Sequence, residues 1–339
     1  MTSTVPTARQ SGIASATAAA LAGASERGHE PVLVEPVLQA VVDAVARVGP
    51  RSMVVDATFG CGGYTRGLLA ATGEETKVLG IDRDASMEIH AAPLAERHPE
   101  RLAFACAPFS TITSLELSAP VAAVVFDLGL NSAALDDPAR GFSFRPTHDG
   151  PLDMRMSPQA GGETAADLVA RMPELELSAL FTDLGGERPR LAARIAQALV
   201  AAREAGAAPT TTQELASLVA RIKGSKARRK RDHHPATLVF QALRMAVNHE
   251  MDELRAGLAG ARDVLADGGA LVVVSYHSGE DGVVKRFLRS SRSATPPHKH
   301  SFGGPTPGAK SITAPRAEAA TNPRARSARL RVGIRDRSN

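Results

Sequence analysis

The stretch from Ser52 to Asp84 limits the fold more than any other part of the chain. "SMVVDATFG" is a buried-strand run that ends in a glycine turn, "GCGGYTRGLLAAT" turns into a helix, and "TKVLGIDRD" is a second strand. A strand, a helix and a strand in quick succession form a βαβ unit, and that unit requires a parallel sheet with crossover helices. The pattern continues with a helix in "MEIHAAPLAERH", a strand in "RLAFACAPF" and a fourth strand in "VAAVVFDLGL" (121–130). The fourth is apolar almost without interruption, as a strand covered on both faces must be. An amphipathic helix in "PVLVEPVLQAVVDAVARV" precedes the first strand.

From Asn131 to about His234 the alternation stops. A loop, "RGFSFRPTHDGPLDMRM" (140–156), opens this region, and helical segments such as "ETAADLVARM", "PRLAARIAQALVAAREA" and "TTQELASLVARI" follow without a convincing strand. Alternation resumes with one long helix in "TLVFQALRMAVNHEMDELRAGLAGARDVL", a strand in "GALVVVSYHS", a short helix in "EDGVVKRFLR" and a last strand in "ARLRVGIR". The expected architecture is α/β: a doubly wound sheet in two pieces, 28–130 and 235–339, with an inserted helical domain at 131–234 after the fourth strand. Ligands of such sheets bind at the carboxyl ends of the strands, and the loop at 140–156 is the first structure the chain makes beyond one of those ends.

Of 339 residues 43% are apolar and 22% charged, a composition that supports a large core and excludes a disordered polyampholyte. The net charge is only +4, but basic residues cluster in "KGSKARRKRDHH" (223–234) and in the tail beyond Ser290. With a pI near 9.3, the two runs point to nucleic acid. The two cysteines, Cys61 and Cys106, cannot build a disulfide framework and fit a reducing, cytoplasmic setting. No apolar run approaches the ~18 residues of a membrane span. Residues 1–27, rich in Ala, Ser and Thr, are expected to be a disordered extension rather than a signal peptide.

"DATFGCGG" (56–63) is the first chemical signal. A glycine turn between strand and helix, with an acid (Asp82) 22 residues after Gly60 at the end of the next strand, is the mononucleotide half of a Rossmann-like fold. A dinucleotide would need a third glycine where Thr65 stands, so that a pyrophosphate could sit on the helix N-terminus. Asp56, four residues before Gly60, instead suits S-adenosyl-L-methionine, which has no phosphate but carries a sulfonium and an ammonium. Asp56, Gly60 and Asp82 are therefore expected at a cofactor site for that ligand. A dinucleotide site and a purely structural turn are the alternatives.

"HEPVLVEPVL", "DATFGCGGYT", "DLGLNSAALDDPARGFSFRPTHDGPLDMRM", "HPATLVFQALRMAVN", "GGALVVVSYHSGEDGVVKRF" and "NPRARSARLR" occur in that order. Together, over about Gly28 to Arg335, they resemble the bacterial 16S ribosomal RNA (cytosine-N4)-methyltransferases that modify a cytosine in the decoding centre. The resemblance implies a class I methyltransferase sheet with an inserted helical domain. It implies that Gly62, Gly63 and Tyr64 line the S-adenosyl-L-methionine, that Asp82 holds the ribose and Phe109 the adenine, and that Asp127 lies where cofactor and target base meet. The chain departs from the family pattern at Tyr64 (usually His), Asn131 (usually Ser), Ala134 (usually Gln), Leu238 and Val239 (usually Arg and Thr), Tyr276 (usually Phe) and Gly279 (usually Leu).

The lone pair of the cytosine N4 amine is delocalised into the ring. Transfer therefore needs alignment with the methyl–sulfur axis and an acceptor for the amine protons, and alignment alone can supply up to ~7–11 kcal/mol of the barrier. Related amino-methylating enzymes carry an acceptor turn after the fourth strand, where this chain has "DLGLNS". Asp127 and Asn131 are the catalytic candidates, with capping and turn chemistry as the alternatives. In the 140–156 loop, Phe142 and Phe144 are expected to stack on a flipped base and Arg140, Arg145 and Arg155 to reach phosphates. Asp149 and Asp153 are expected to pair with those arginines. The alternative is that Phe142, Leu152 and Met154 merely anchor the insertion to the sheet. His277 is a further candidate for RNA contact or proton removal. The pairs His233/His234 and His298/His300 lack companion ligands, and no metal is expected. The expected partner is 16S ribosomal RNA, expected within the small ribosomal subunit, with the oligomeric state, a dimer included, left open. The competing functions are methylation of another nucleic acid or small molecule, and ribosome-assembly RNA binding with a vestigial cofactor site.

Overall fold

Strand β1 (Met53–Asp56) is buried at every position, as its run of apolar residues requires. In the computed structural model, which describes residues 8–22, 30–224, 234–290, 302–303 and 311–336, β1 lies between β2 (Lys77–Asp82) and β4 (Val121–Asp127) and is parallel to both. Strand β3 (Leu102–Cys106) extends the sheet beyond β2, and β5 (Leu265–Ser275) lies beside β4. Among the described residues the order is β3-β2-β1-β4-β5-β8-β6, where β6 is Phe302–Gly303 and β8 is Arg329–Arg335; β7 (Ile312–Thr313) also pairs with β8. Strand β8 runs antiparallel to β5, pairing Val272 with Val332. The expected doubly wound α/β sheet is present, and the strand order reverses between β1 and β4, which places the ligand crevice at their carboxyl ends.

The chain divides into two compact units, 1–129 with 252–339, and 130–251. The insertion therefore extends to Met251, not to 234. Helix Thr237–Val247 accounts for the difference, because its Val239, Phe240 and Leu243 belong to the core of the helical unit. The single long helix expected over this region is two. The first stops at Asn248, His249 takes φ 51°, and Glu250–Val264 begins anew. Asn248 explains the break. Its amide donates to the carbonyls of Met154 (2.7 Å) and Arg244 (2.8 Å), and its oxygen accepts from the Met156 N–H (2.7 Å).

A second expectation fails at the N-terminus. Residues 8–22 form a helix, α1 (Ala8–Ala22), rather than a disordered extension. It packs on α2 (Val34–Val48) and α3 (Gly63–Ala71) through small residues, with Ile13, Ala16 and Ala20 buried. A Cβ on Gly67 of α3 would come within 3.0 Å of Ala20 Cβ. Close backbone approach leaves little apolar side chain for a periodic pattern to display.

Four further helices of the inserted unit, Ala165–Arg171, Glu174–Asp183, Pro189–Glu204 and Thr212–Lys223, enclose a core that includes Leu177, Phe181, Ile195 and Val219. Two have capping boxes, Thr164 with Asp167 and Thr211 with Glu214, which satisfy N–H groups that a helix start leaves without partners.

Candidate active site

Three carboxylates stand at the carboxyl ends of β1, β2 and β4. Asp56 is fully buried and holds the glycine loop: its Oδ2 accepts from the Thr65 hydroxyl at 2.7 Å and its Oδ1 from the Thr58 N–H at 3.4 Å. Asp82 is half-buried, with Oδ2 accepting from the Gly60 N–H (2.8 Å) and Oδ1 from the Asp84 N–H (2.9 Å). Asp127 is half-buried, its backbone N–H donating to the Thr58 hydroxyl (2.6 Å) and its Oδ1 accepting from the Tyr276 phenol (2.6 Å). The loop after β1 is thus joined to the ends of both neighbouring strands. Gly62 supports this geometry with φ 76° at the start of α3, in the left-handed region that residues with a Cβ seldom adopt.

Burial dominates the electrostatics. Removal from water pushes the carboxyls of Asp56 and Asp82 up to about 6 and that of Asp127 up to about 7, against the hydrogen bonds that favour their charged forms. A cation bound among them would restore the charged forms. The donor set therefore fits a ligand with positive charge and ribose-like hydroxyls, such as S-adenosyl-L-methionine, and disfavours a pyrophosphate.

The other residues expected at the cofactor have distinct settings. Tyr64 is buried, donates its hydroxyl to the Val32 carbonyl, and has its phenol pushed well above the ordinary value by burial. Phe109 is half-buried, edge-on to Phe126 at 5.3 Å. Gly63 lies against Pro31. His277 pairs with Glu280 (2.9 Å) at the start of helix Ser278–Ser290.

A family model described as MraW methylase family matches residues 26–335. The chain belongs to the MraW methylase family. A protein of Beijerinckia indica named Ribosomal RNA small subunit methyltransferase H is 44% identical over 327 residues, covering 93% of this chain and 87% of that relative. One of the same name from Thermomicrobium roseum is 46% identical over 318 residues, covering 91% and 93%. The protein is thus a methyltransferase, as the resemblance implied, and its methylase chemistry agrees with a sheet whose strand ends favour a cation.

In the helical unit of this methylase, the catalytic candidate Asn131 and most candidate RNA-contacting residues are tied into the fold. Asn131 caps a short helix, Ser132–Asp136, its side-chain oxygen accepting from the Ala134 N–H at 2.7 Å. Arg140 donates to the carbonyls of Arg155 (3.1 Å) and Met156 (3.0 Å). Arg155 makes a two-pronged pair with Asp153 (2.6 and 2.9 Å) and holds that carboxyl below its ordinary value. Phe142 is only 6% exposed and belongs with Leu152 and Met154 to the core of the helical unit, a setting that offers no open ring face for a base. Phe144 is half-buried, stacked on His234 at 4.8 Å and edge-on to Phe240 at 4.9 Å. Arg145, which pairs with Asp136 at 3.3 Å, has a side chain that is 59% exposed.

Asp149 does not pair with an arginine as expected. It accepts from the Gln213 N–H (3.1 Å) and the Thr212 hydroxyl (3.2 Å) at the start of helix Thr212–Lys223, and those bonds hold its carboxyl below the ordinary value. The 140–156 loop is a strap across that helix start, with Leu152 N–H bonded to the Thr210 carbonyl and the Gln213 amide to the Phe144 carbonyl. Gly141 permits the close crossing, with φ 72° and a would-be Cβ only 2.2 Å from the Pro151 carbonyl oxygen. Sequence reasoning missed Asn248 and Gln213, which fasten the strap. Their only signal was polarity inside apolar helical patterns.

The basic tail is partly structural as well. Arg331 pairs with Asp281 (2.6 Å), and Arg335 donates to the Arg262 carbonyl (3.2 Å). Most of the basic run at 223–234, together with His233, His298 and His300, lies outside the described residues. Neither cysteine is in a disulfide. Among the described residues no helix is long and apolar enough to cross a membrane, and no cluster of potential metal ligands occurs.

Proposed function

We propose that this methyltransferase transfers a methyl group from S-adenosyl-L-methionine to the N4 amine of a cytosine in 16S ribosomal RNA of the small subunit. The observation that carries the reading is the acidic end of the sheet: Asp56, Asp82 and Asp127 at three strand ends, each raised by burial. The names of relatives at 44–46% identity supply the substrate class. The long motifs quoted above supply the atom.

When bound, the donor supplies a methyl group on a cationic sulfur. Asp82 would accept from the ribose hydroxyls with the lone pairs its backbone bonds leave over. The backbone of Gly60, Gly62 and Gly63 and the side chain of Tyr64 would line the cofactor, and Phe109 would flank the adenine. Asp56 acts through the loop it holds and through its charge. Asp127 accepts a proton of the target amine and orients the nitrogen lone pair. Transfer would form the N–CH3 bond as the S–CH3 bond breaks, and Asp127 would take up the proton that the methylated nitrogen sheds, leaving the amine neutral. The proton needs only a modest acceptor, because the amine becomes acidic as the bond forms.

A role at the reacting atoms is proposed for Asp127 alone. Asn131, Arg140, Phe142 and Arg155 serve the helical unit, where their polar groups and ring are already engaged. Arg145, Phe144 and His277 remain candidates for RNA contact. The test is transfer of labelled methyl from S-adenosyl-L-methionine to small subunits lacking the modification, with naked 16S RNA alongside and the product nucleoside identified after digestion. Label in N4-methylcytidine is the expected result. Bound cofactor with no label on either RNA would overturn the ribosomal assignment.

A further inference from the structure

The chain has two tyrosines, Tyr64 and Tyr276, and both face the surroundings of Asp127. Only one is bonded to it. Tyr64 gives its hydroxyl to the Val32 carbonyl, whereas Tyr276 donates to Asp127 Oδ1 at 2.6 Å. The sheet register arranges this contact. Asp127 pairs with Val274 across β4 and β5, so Tyr276, two residues further on, leaves the strand end on the same side of the sheet. Its backbone N–H is held by Glu280 Oε2 at 3.1 Å, and its ring lies 3.7 Å from where a Cβ on Gly129 would be. Among the described residues Asp127 Oδ2 makes no hydrogen bond.

We infer that Tyr276 is a positioning residue for Asp127: the phenol fixes the rotation of the carboxylate through Oδ1 and directs Oδ2 toward the target amine. This rests on the reading of Asp127 given under Proposed function. The family pattern has Phe at this position, so the hydroxyl is a departure of this chain and not a general requirement of the fold. It is also the right kind of donor. Burial and the neighbouring acids push the Tyr276 phenol well above its ordinary value, so it keeps its proton around neutral pH. A hydrogen bond to the ionised form of a carboxylate favours that form. Tyr276 thus opposes the upward push that burial, Asp56 and Glu280 exert on Asp127, in the same sense as Arg324. Tyr64 also couples to Asp127, and burial pushes its phenol well above the ordinary value.

Tyr276→Phe removes one oxygen and keeps the ring, so the variant is expected to fold. Two measurements on wild type and variant test the inference. One is the pH dependence of kcat for methyl transfer to small subunits. The other is direct titration of Asp127 by NMR of protein labelled at the aspartate carboxyl carbons, assigned with Asp127→Asn. In the variant the Asp127 midpoint should rise by about one pH unit. The acid limb of kcat should rise by the same amount, giving about tenfold less activity on that limb, and the plateau should fall several-fold because the carboxylate is no longer held in one orientation, with KM for the subunit unchanged. An unmoved midpoint would overturn the inference, and this holds even if wild type transfers no methyl and the ribosomal reading fails. A midpoint that moves while the acid limb stays in place would overturn the positioning role.

Discussion

The strand ends of the sheet unit and the 140–156 strap of the helical unit are both rich in charge, and they use it in opposite ways. On the strap, Asp149 and Asp153 lie below the ordinary carboxylate value because a helix start, hydroxyls and Arg155 satisfy them. At the strand ends, Asp56, Asp82 and Asp127 lie above it because burial outweighs the bonds they accept. Satisfied charge fastens a segment in place, whereas charge raised by burial is stabilised by whatever cation binds there. On the proposed reading the sheet unit carries the cofactor chemistry, and most of the strap's polar groups are bonded within the helical unit.

Substitutions can break this comparison at several points. Asp127→Ala should give the largest effect, a loss of about 100-fold or more in kcat with the fold intact, read by label transfer and thermal unfolding. Unchanged turnover would remove Asp127 from the reacting atoms. Asn248→Ala should do the reverse. It deletes three hydrogen bonds, two of which fasten the strap, and should lower stability by about 2–4 kcal/mol, measured by denaturant unfolding, while cofactor affinity stays within about twofold. Asp82→Asn should weaken S-adenosyl-L-methionine about tenfold by calorimetry and leave stability nearly unchanged. Phe144→Leu separates the two roles left to that ring: turnover within about threefold of wild type marks a packing role, and a larger loss marks a contact with the target base. Arg145→Ala should have the smallest effect, reducing the salt dependence of RNA binding by about one phosphate contact without altering stability.

Much of the fold could be read from the chain because buried parallel strands are apolar runs, and four of them, β1, β2, β4 and β5, stand out as such, while the edge strand β3 follows from the alternation of elements. The antiparallel β8 was legible as "ARLRVGIR". Two kinds of feature were not legible. Helix α1 packs through Ala and Gly, which carry too little apolar contrast to reveal a buried face. The end of the insertion was hidden because the segment 237–264 has continuous helical periodicity. Its break depends on Asn248 reaching residues more than ninety positions away. The site shows the same division. Asp56, Asp82 and the glycine loop follow from local spacing, and Asp127 from its place at a strand end. The bonding of Asp149, Arg140 and Arg155 depends on which polar groups the folded strap brings together, and spacing carries no information about that.

The central claim, that buried acids make the strand ends a cation site, is tested most directly by calorimetric titration of S-adenosyl-L-methionine across pH. With no ligand bound, these carboxyls hold protons between the ordinary carboxylate range, near ~4, and about 7, where an unfolded chain has released them. Their contribution to stability is therefore present at low pH and lost as pH rises through about 6 to 7. A cation favours the ionised forms and reverses that trend. The account predicts affinity that rises about tenfold or more from pH 5.5 to pH 8, levels off above about 7, and is accompanied below 7 by release of protons on binding. Affinity independent of pH, with no proton released, would contradict it.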